Sequence, residues 1–262
     1  MVIVKLAGGL GNQLFQYSLG LYIKEKYKFN VFYDVSFYVS KKRLAHEKLN
    51  ILEFSFIDIN TINYIGYVSQ LKVLKDIFHK FIIYDDSSNV NFSKDNRFYI
   101  GNWQTYIYAD YVKHLLIKHL NLRSDNLIIK EVQRENTATF HIRGTDILLG
   151  GYGGLFKVLN EKYYLSALNS LNYIDKIVVV TDDRRYANSL NFGNTPVTII
   201  SNDNVLLDFN ILSSAKNLVC ANSTFSWWAA YVGNADKIIF PNDLNFTNKK
   251  NFIPYNWIIL NI

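Results

Sequence analysis

The chain has 262 residues, with 28 Lys+Arg against 22 Asp+Glu and a formal net charge of +6. With 49% hydrophobic and 16% aromatic residues it holds too much apolar bulk for a disordered chain and enough for a sizeable core. Its single cysteine, Cys220, excludes a disulfide framework and CxxC zinc sites, and its basic residues lie in scattered pairs rather than the stripe of a nucleic-acid binder.

No apolar run approaches the roughly 18 residues of a membrane helix, and the run before the first glycines is too short for a signal-peptide core. The expectation is a soluble, cytoplasmic protein, peripheral at most to the inner face of the plasma membrane.

Val2, Ile3, Val4 and Leu6 read as a buried strand. It runs into Gly8-Gly9-Leu10-Gly11-Asn12 and then into a helical stripe of Leu14, Phe15, Leu19, Tyr22 and Ile23. A second strand is expected over 30–34, a helix over 64–81, a strand over 98–100 and a helix from about Asp110, with Val112, Leu115, Leu116 and Leu120 inward. Residues 35–63 read ambiguously. In the second half, short apolar runs at 138–143, 177–181, 197–200, 218–221 and 238–240 alternate with helical segments at 162–171, 183–191, 205–214 and 224–232. That alternation predicts a parallel sheet covered on both faces. Two Rossmann-like halves follow, divided as 1–128 and 129–245. The aromatic segment 246–262 is expected to pack back on them.

Ligands of open parallel sheets sit beyond the carboxyl ends of the strands, so the residues there are the candidates. After the first strand, Gly9, Gly11, Asn12 and Gln13 begin like a dinucleotide fingerprint, but the third glycine position is Leu14. They form either a tight packing turn or a loop whose backbone and amides meet a ligand. After 138–143, His141 and Arg143 share one strand face, with Asp146 just beyond. These three are a ligand edge, the Arg fork suiting phosphate oxygens, or a surface ion pair beside a core histidine. Asp182 and Asp183 follow the next strand, where a helix cap is favoured over catalysis. Asn222, Ser223, Thr224 and Phe225 open a helix whose first N–H groups and partial positive charge suit a diphosphate. Ordinary capping, with Trp227 and Trp228 in the core, is the alternative. The five histidines form no metal-ligand spacing, and no metal is expected. Neither a P-loop nor a serine-hydrolase elbow is present.

Taken together, these segments resemble the α-1,2-fucosyltransferase family (glycosyltransferase family 11), especially its soluble bacterial members. The resemblance rests on Gly8-Gly9-Leu10-Gly11-Asn12-Gln13-Leu14-Phe15-Gln16-Tyr17, on Tyr99-Ile100-Gly101-Asn102-Trp103-Gln104, on His141-Ile142-Arg143-Gly144-Thr145-Asp146, similar to HxRRxD, and on Asn222 to Ala230, similar to SxSTFSWWAA. It implies an α/β fold of GT-B type, two Rossmann-like domains facing across a cleft, the first on the acceptor side and the second holding the donor. It implies GDP-β-L-fucose as co-substrate with no further cofactor and no metal, inversion at the anomeric carbon, and transfer to O2 of a galactose. The acceptor is then a galactose-containing oligosaccharide or a lipid-linked glycan, as in O-antigen biosynthesis.

Under that resemblance Arg143 meets the diphosphate, and Ser223, Thr224 and the Phe225 backbone cradle it. Asp208 accepts from guanine N1 and N2, and His141 and Asp146 line the sugar end. One departure stands out: the second arginine of the family motif is Gly144 here, with Arg184 or Arg185 as conceivable stand-ins. Another GDP-sugar as donor, or a non-catalytic glycan-binding protein, are the competing expectations.

Overall fold

The computed structural model describes residues 2–39, 48–54, 57, 61–62, 82–84, 90, 92, 98–120, 126–144, 158–243, 249 and 251–262. The expected helix over 64–81 and the candidate Asp146 lie outside them. The chain forms two compact units, Met1–Asn121 with Lys250–Phe252, and Leu122–Lys249 with Ile253–Ile262.

The first unit holds β1 (Val2–Lys5), β2 (Val31–Asp34), β3 (Thr61–Ile62), β4 (Ile82–Tyr84) and β5 (Phe98–Ile100), all parallel in the order β3-β2-β1-β5-β4. Gly8, at φ +78, makes the turn out of β1, and a Cβ there would stand 2.7 Å from Asn12 Nδ2. The 18-residue helix α1 (Leu10–Tyr27) then buries residues on every side over its first 14 positions, so it is an interior helix. The helix expected from Asp110 is two: α2 (Tyr106–Tyr111), capped by the Thr105 hydroxyl, and α3 (Lys113–Leu120). Val112 at the break, Leu116 and Leu120 are buried.

The second unit holds β6 (Thr137–Ile142), β7 (Lys176–Thr181), β8 (Val197–Ile200), β9 (Asn217–Val219), β10 (Lys237–Pro241) and β11 (Ile258–Leu260). The sheet is parallel, in the order β11-β10-β9-β6-β7-β8. Numbered within the unit, that is 3-2-1-4-5-6, the order of a dinucleotide-binding sheet. Helices α4 (Leu127–Val132), α5 (Glu161–Asn169), α6 (Arg184–Ser189), α7 (Val205–Ser214) and α8 (Thr224–Val232) connect and cover the strands.

Period-2 alternation divides β6 between two layers. Ala138, Phe140 and Ile142 join Tyr163, Tyr164, Ala167, Ile177, Val179 and Phe192 in one core cluster. The alternate positions Thr137, Thr139 and His141 are buried too. Because β7 is β-branched from Ile177 to Thr181 and buried throughout that run, this sheet is covered on both faces, as expected.

Two expectations change in detail. A division at residue 128 would cut α4, whose Val132 carbonyl accepts from Lys216 N at 3.0 Å within the second unit. The C-terminal segment supplies a sixth strand: β11 pairs Ile258 with Ile239, and Trp257 packs 5.6 Å from Trp227 and 5.7 Å from Phe240. Phe252, fully buried, packs instead against Phe15 of the first unit, with ring centroids 5.9 Å apart.

Candidate functional site

In the second sheet the order reverses direction at β6 and β9, strands 1 and 4 of the unit. In open parallel sheets such a reversal is where ligands bind, beyond the carboxyl ends of the strands. The β6–β9 pairing stops at Phe140↔Val219. Past that point the chain runs on from β6 to Arg143 and Gly144, and from β9 to Asn222 and Ser223.

Arg143 and Ser223, 80 residues apart in sequence, meet there: a guanidinium NH donates to Ser223 Oγ at 3.1 Å. Ser223 is also the N-cap of α8, its Oγ accepting from Phe225 N at 3.2 Å. The hydroxyl therefore accepts twice, once from a cation, and among the described residues its own hydrogen is left for a further acceptor. Thr224 opens the helix, which presents its partial positive charge at the same place. Buried His141 packs its ring 5.6 Å from that of Phe225, and Phe225 packs 5.5 Å from Phe209. Asn222, also buried, donates to Asp243 Oδ2 at 3.0 Å. This bond ties the loop before α8 to the end of β10. Six of the sequence candidates, His141, Arg143, Asn222, Ser223, Thr224 and Phe225, are thus gathered at one sheet edge.

Gly144 explains the departure in the motif. Its N–H donates to Asp182 Oδ1 at 2.9 Å, and a Cβ on it would lie 2.9 Å from the Asp183 Cβ and 3.1 Å from its Oδ2. Asp183 is the N-cap of α6, accepting from Tyr186 N at 2.9 Å, as the capping expectation had it. Arg184 is engaged with the Ile199 carbonyl at 3.2 Å and is exposed. Among the described residues no bond brings it to the β6 end as a stand-in.

Asp208 sits in the first turn of α7, where Asn202 Nδ2 donates to it at 3.1 Å. Burial pushes its carboxyl up to about 7; the Asn202 hydrogen bond opposes this and the Asp182 charge adds to it. A carboxylate this poorly solvated gains most from a ligand that donates hydrogen bonds to it.

Gly9, Gly11, Asn12 and Gln13 belong to the first unit. Gly9 caps α1 without a side chain, and its carbonyl accepts from Asn12 N and Gln13 N. Gln13 takes the packing-turn alternative in the ligand-free chain. Fully buried, it gives both amide hydrogens to the Gly8 and Lys48 carbonyls, at 3.0 and 2.6 Å, and accepts from Ile51 N at 3.0 Å. Gln16 likewise joins Ala7 N to the Gly101 carbonyl, and Asn12 accepts from Gln104 Nε2 at 2.9 Å. The polar residues of this glycine motif hold their own sheet edge together, β1 to β5.

Asp243 escaped the sequence reading, although it follows the 238–240 run as the other candidates follow theirs. Tyr163 and Tyr164 escaped it too, and no periodicity separates them from ordinary core aromatics. Among the described residues no three His, Cys, Asp or Glu side chains cluster to hold a metal ion, and no helix is long and apolar enough to cross a membrane.

Comparison with known proteins agrees with the strand order. Over 90% of its length the chain superposes on fucosyltransferase NodZ from Bradyrhizobium, covering 94% of that chain with a TM-score of 0.54 and 11% identity. NodZ α-1,6-fucosyltransferase co-crystallized with GDP gives a TM-score of 0.51, also at 11% identity, over 90% of this chain and 93% of that one. The fold is α/β of the GT-B type, with a Rossmann-like sheet in each unit. In sequence, the chain is 26% identical to the O-antigen biosynthesis glycosyltransferase WbnK of Escherichia coli, covering 97% of this chain and 99% of the relative. It is 27% identical to an alpha-1,2-colitosyltransferase of Escherichia coli, over 90% and 89% respectively. The model of the family described as glycosyl transferase family 11 matches residues 1–261, and the chain belongs to that family of glycosyltransferases.

Proposed function

We propose that the protein transfers L-fucose from GDP-β-L-fucose, with inversion, to O2 of a galactose in a cell-surface glycan. The observation that carries this is the Arg143–Ser223 contact at the β6/β9 switch point. A cation, a polarised hydroxyl and a helix start close together support neutralisation of a diphosphate leaving group. Family membership supports sugar transfer, and the GDP in the co-crystallized NodZ structure supports the nucleotide.

In this reading the C–O bond to the diphosphate breaks through an oxocarbenium-like transition state. Negative charge builds on the β-phosphate, and Arg143, the Ser223 hydroxyl, Thr224 and the start of α8 meet it. No cofactor or metal beyond the co-substrate enters. Asp208 accepts from guanine N1 and N2, and the buried His141 lines the sugar end with Asp146. The acceptor hydroxyl loses its proton to His141, to Asp146, to an acid of the first unit or to a departing phosphate oxygen. A lipid-linked acceptor of O-antigen type, supported by the WbnK likeness, puts the enzyme at the inner face of the plasma membrane.

The colitosyltransferase relative favours one second reading, transfer of another GDP-linked sugar through the same diphosphate site. Transfer assays with GDP-fucose, GDP-colitose and GDP-mannose on a β-galactoside separate the two by which donor is consumed. Whichever sugar is used, Arg143→Ala lowers kcat/KM at least about a hundredfold, the order expected for one preorganised donor to a developing charge. Its melting temperature stays near that of the parent. Near-normal turnover in this variant rejects the diphosphate site.

A further inference from the structure

The two strand ends that carry Arg143 and Ser223 are each anchored outward. β6 stays paired with β7 as far as Ile142↔Thr181, and Cys220 N donates to the β10 residue Ile239 at 2.8 Å. Between β6 and β9 themselves, strand pairing has already ended at Phe140↔Val219. Just past that point a carbonyl on each segment accepts from a side chain. Tyr163 OH donates to Cys220 O at 2.8 Å, and Tyr164 OH donates to His141 O at 3.4 Å. The two donors are consecutive residues of α5, a helix packed beneath the sheet in the Phe140 cluster, with ring centroids 5.1 Å apart.

The geometry points to Tyr163 and Tyr164 as positioning residues: one helix, through two adjacent phenols, fixes the spacing of the strand ends that carry Arg143 and Ser223. Two adjacent hydroxyls on one rigid helix are a ruler, because neither carbonyl can shift without lengthening its bond to a common support. Tyr163 governs the β9 side: Cys220 lies three residues before the α8 cap, and Ala221 O accepts from Ser223 N at 2.8 Å. Tyr164 governs the β6 side, two residues before Arg143. Burial pushes both phenols well above the ordinary tyrosine value, so each remains a neutral donor at any physiological pH. Phe140 packs 6.0 Å from the Tyr164 ring and holds it edge-on. Removing the Tyr164 hydroxyl therefore leaves its ring in place and takes one hydrogen bond from the carbonyl.

The nucleotide part of this inference rests on the proposed diphosphate site; the backbone part does not. The experiment therefore uses Tyr163→Phe and Tyr164→Phe with two readouts. The first is amide hydrogen exchange of the ligand-free protein. In Tyr163→Phe the amides of residues 222–226 exchange about tenfold faster, while those of α5 and β7 keep their parent rates. The second is affinity: GDP binds about tenfold more weakly to Tyr163→Phe, and guanosine, which lacks the phosphates, binds unchanged. Tyr164→Phe has the smaller effect, matching its longer bond, and its exchange changes centre on residues 141–144. If Tyr163→Phe does not fold, Tyr164→Phe decides by the same two readouts. Unchanged exchange at 222–226, or exchange raised evenly over the whole second unit, overturns the ruler. A parent protein that binds no GDP overturns the diphosphate site, and the exchange readout still decides the ruler.

Discussion

Arg143 and Asp208 are both ionisable residues of the second unit, but they differ in how their charge is supported. The Arg143 fork is paired with a capping hydroxyl and keeps its charge at all accessible pH. Asp208 is a carboxylate in poor solvation, pushed up to about 7 mainly by burial. The consequence for stability has a definite sign. Between about pH 4 and pH 7 the unfolded chain has released this proton and the folded chain has not, so this residue's contribution to stability falls as pH rises through that window. The consequence for binding runs the other way. A guanine edge that donates to the carboxylate selects the ionised form and releases a proton on binding. GDP affinity is then about tenfold higher at pH 8 than at pH 6, and flat above that. Isothermal titration at the two pH values, in buffers of different ionisation enthalpy, measures both the affinity ratio and the proton released. Asp208→Asn removes the pH dependence; a parent profile already flat over this range would show that Asp208 does not meet the ligand.

At the scale of elements, the strand ends of the second sheet are built from mutual accommodation between β6, α6 and α8. Position 144 has no room for a side chain because the α6 cap residue Asp183 stands 2.9 Å from where its Cβ would be. Gly144→Arg, which would restore the family's second cation, forces the cap aside. It is expected to destabilise the protein by about 1–3 kcal/mol and to lower transfer rather than raise it. Urea denaturation and the transfer assay measure the two; a gain in kcat/KM at parental stability would mean that the cap yields at no cost. The sequence could not have shown this, since Asp183 is 39 positions away and the conflict is purely spatial. What it could show were the periodic elements. β7 is legible because full burial on both faces writes itself as an unbroken apolar run, β6 by its period-2 alternation, α8 by the apolar stretch from Trp227 to Val232, and Ser223 because an N-cap has a side-chain signature. The two-residue strand β3 and the break at Val112 are too short to write a period. The two readings of Gln13 cannot be separated in the sequence, because an amide beside glycines looks the same whether it faces a ligand or the backbone. Tyr163 and Tyr164 were invisible for the same reason, a hydroxyl on a core ring carrying no mark of what it reaches.

At the scale of the whole chain, each unit carries a parallel sheet, of five strands in the first and six in the second, with different chemistry at the strand ends. In the first unit the side chains around the glycine turn are turned on their own backbone. Gln13 bonds Gly8, Lys48 and Ile51, Gln16 bonds Ala7 and Gly101, and Gln104 bonds Asn12. A site so internally satisfied has little left for a charged ligand. In the second unit the strand ends carry Arg143, the Ser223 hydroxyl that accepts from it, and a helix start. If nucleotide binding follows this difference, GDP slows amide exchange in residues 141–144, 205–209 and 222–226. It leaves residues 7–16 of the glycine turn at their free rate, because ligand protection reaches only segments whose opening the ligand must oppose. Exchange mass spectrometry on the full chain, with and without saturating GDP, reads both units in one sample. Protection confined to residues 7–16 would move the nucleotide to the first unit and return Gly9, Gly11 and Asn12 to the role their sequence first implied.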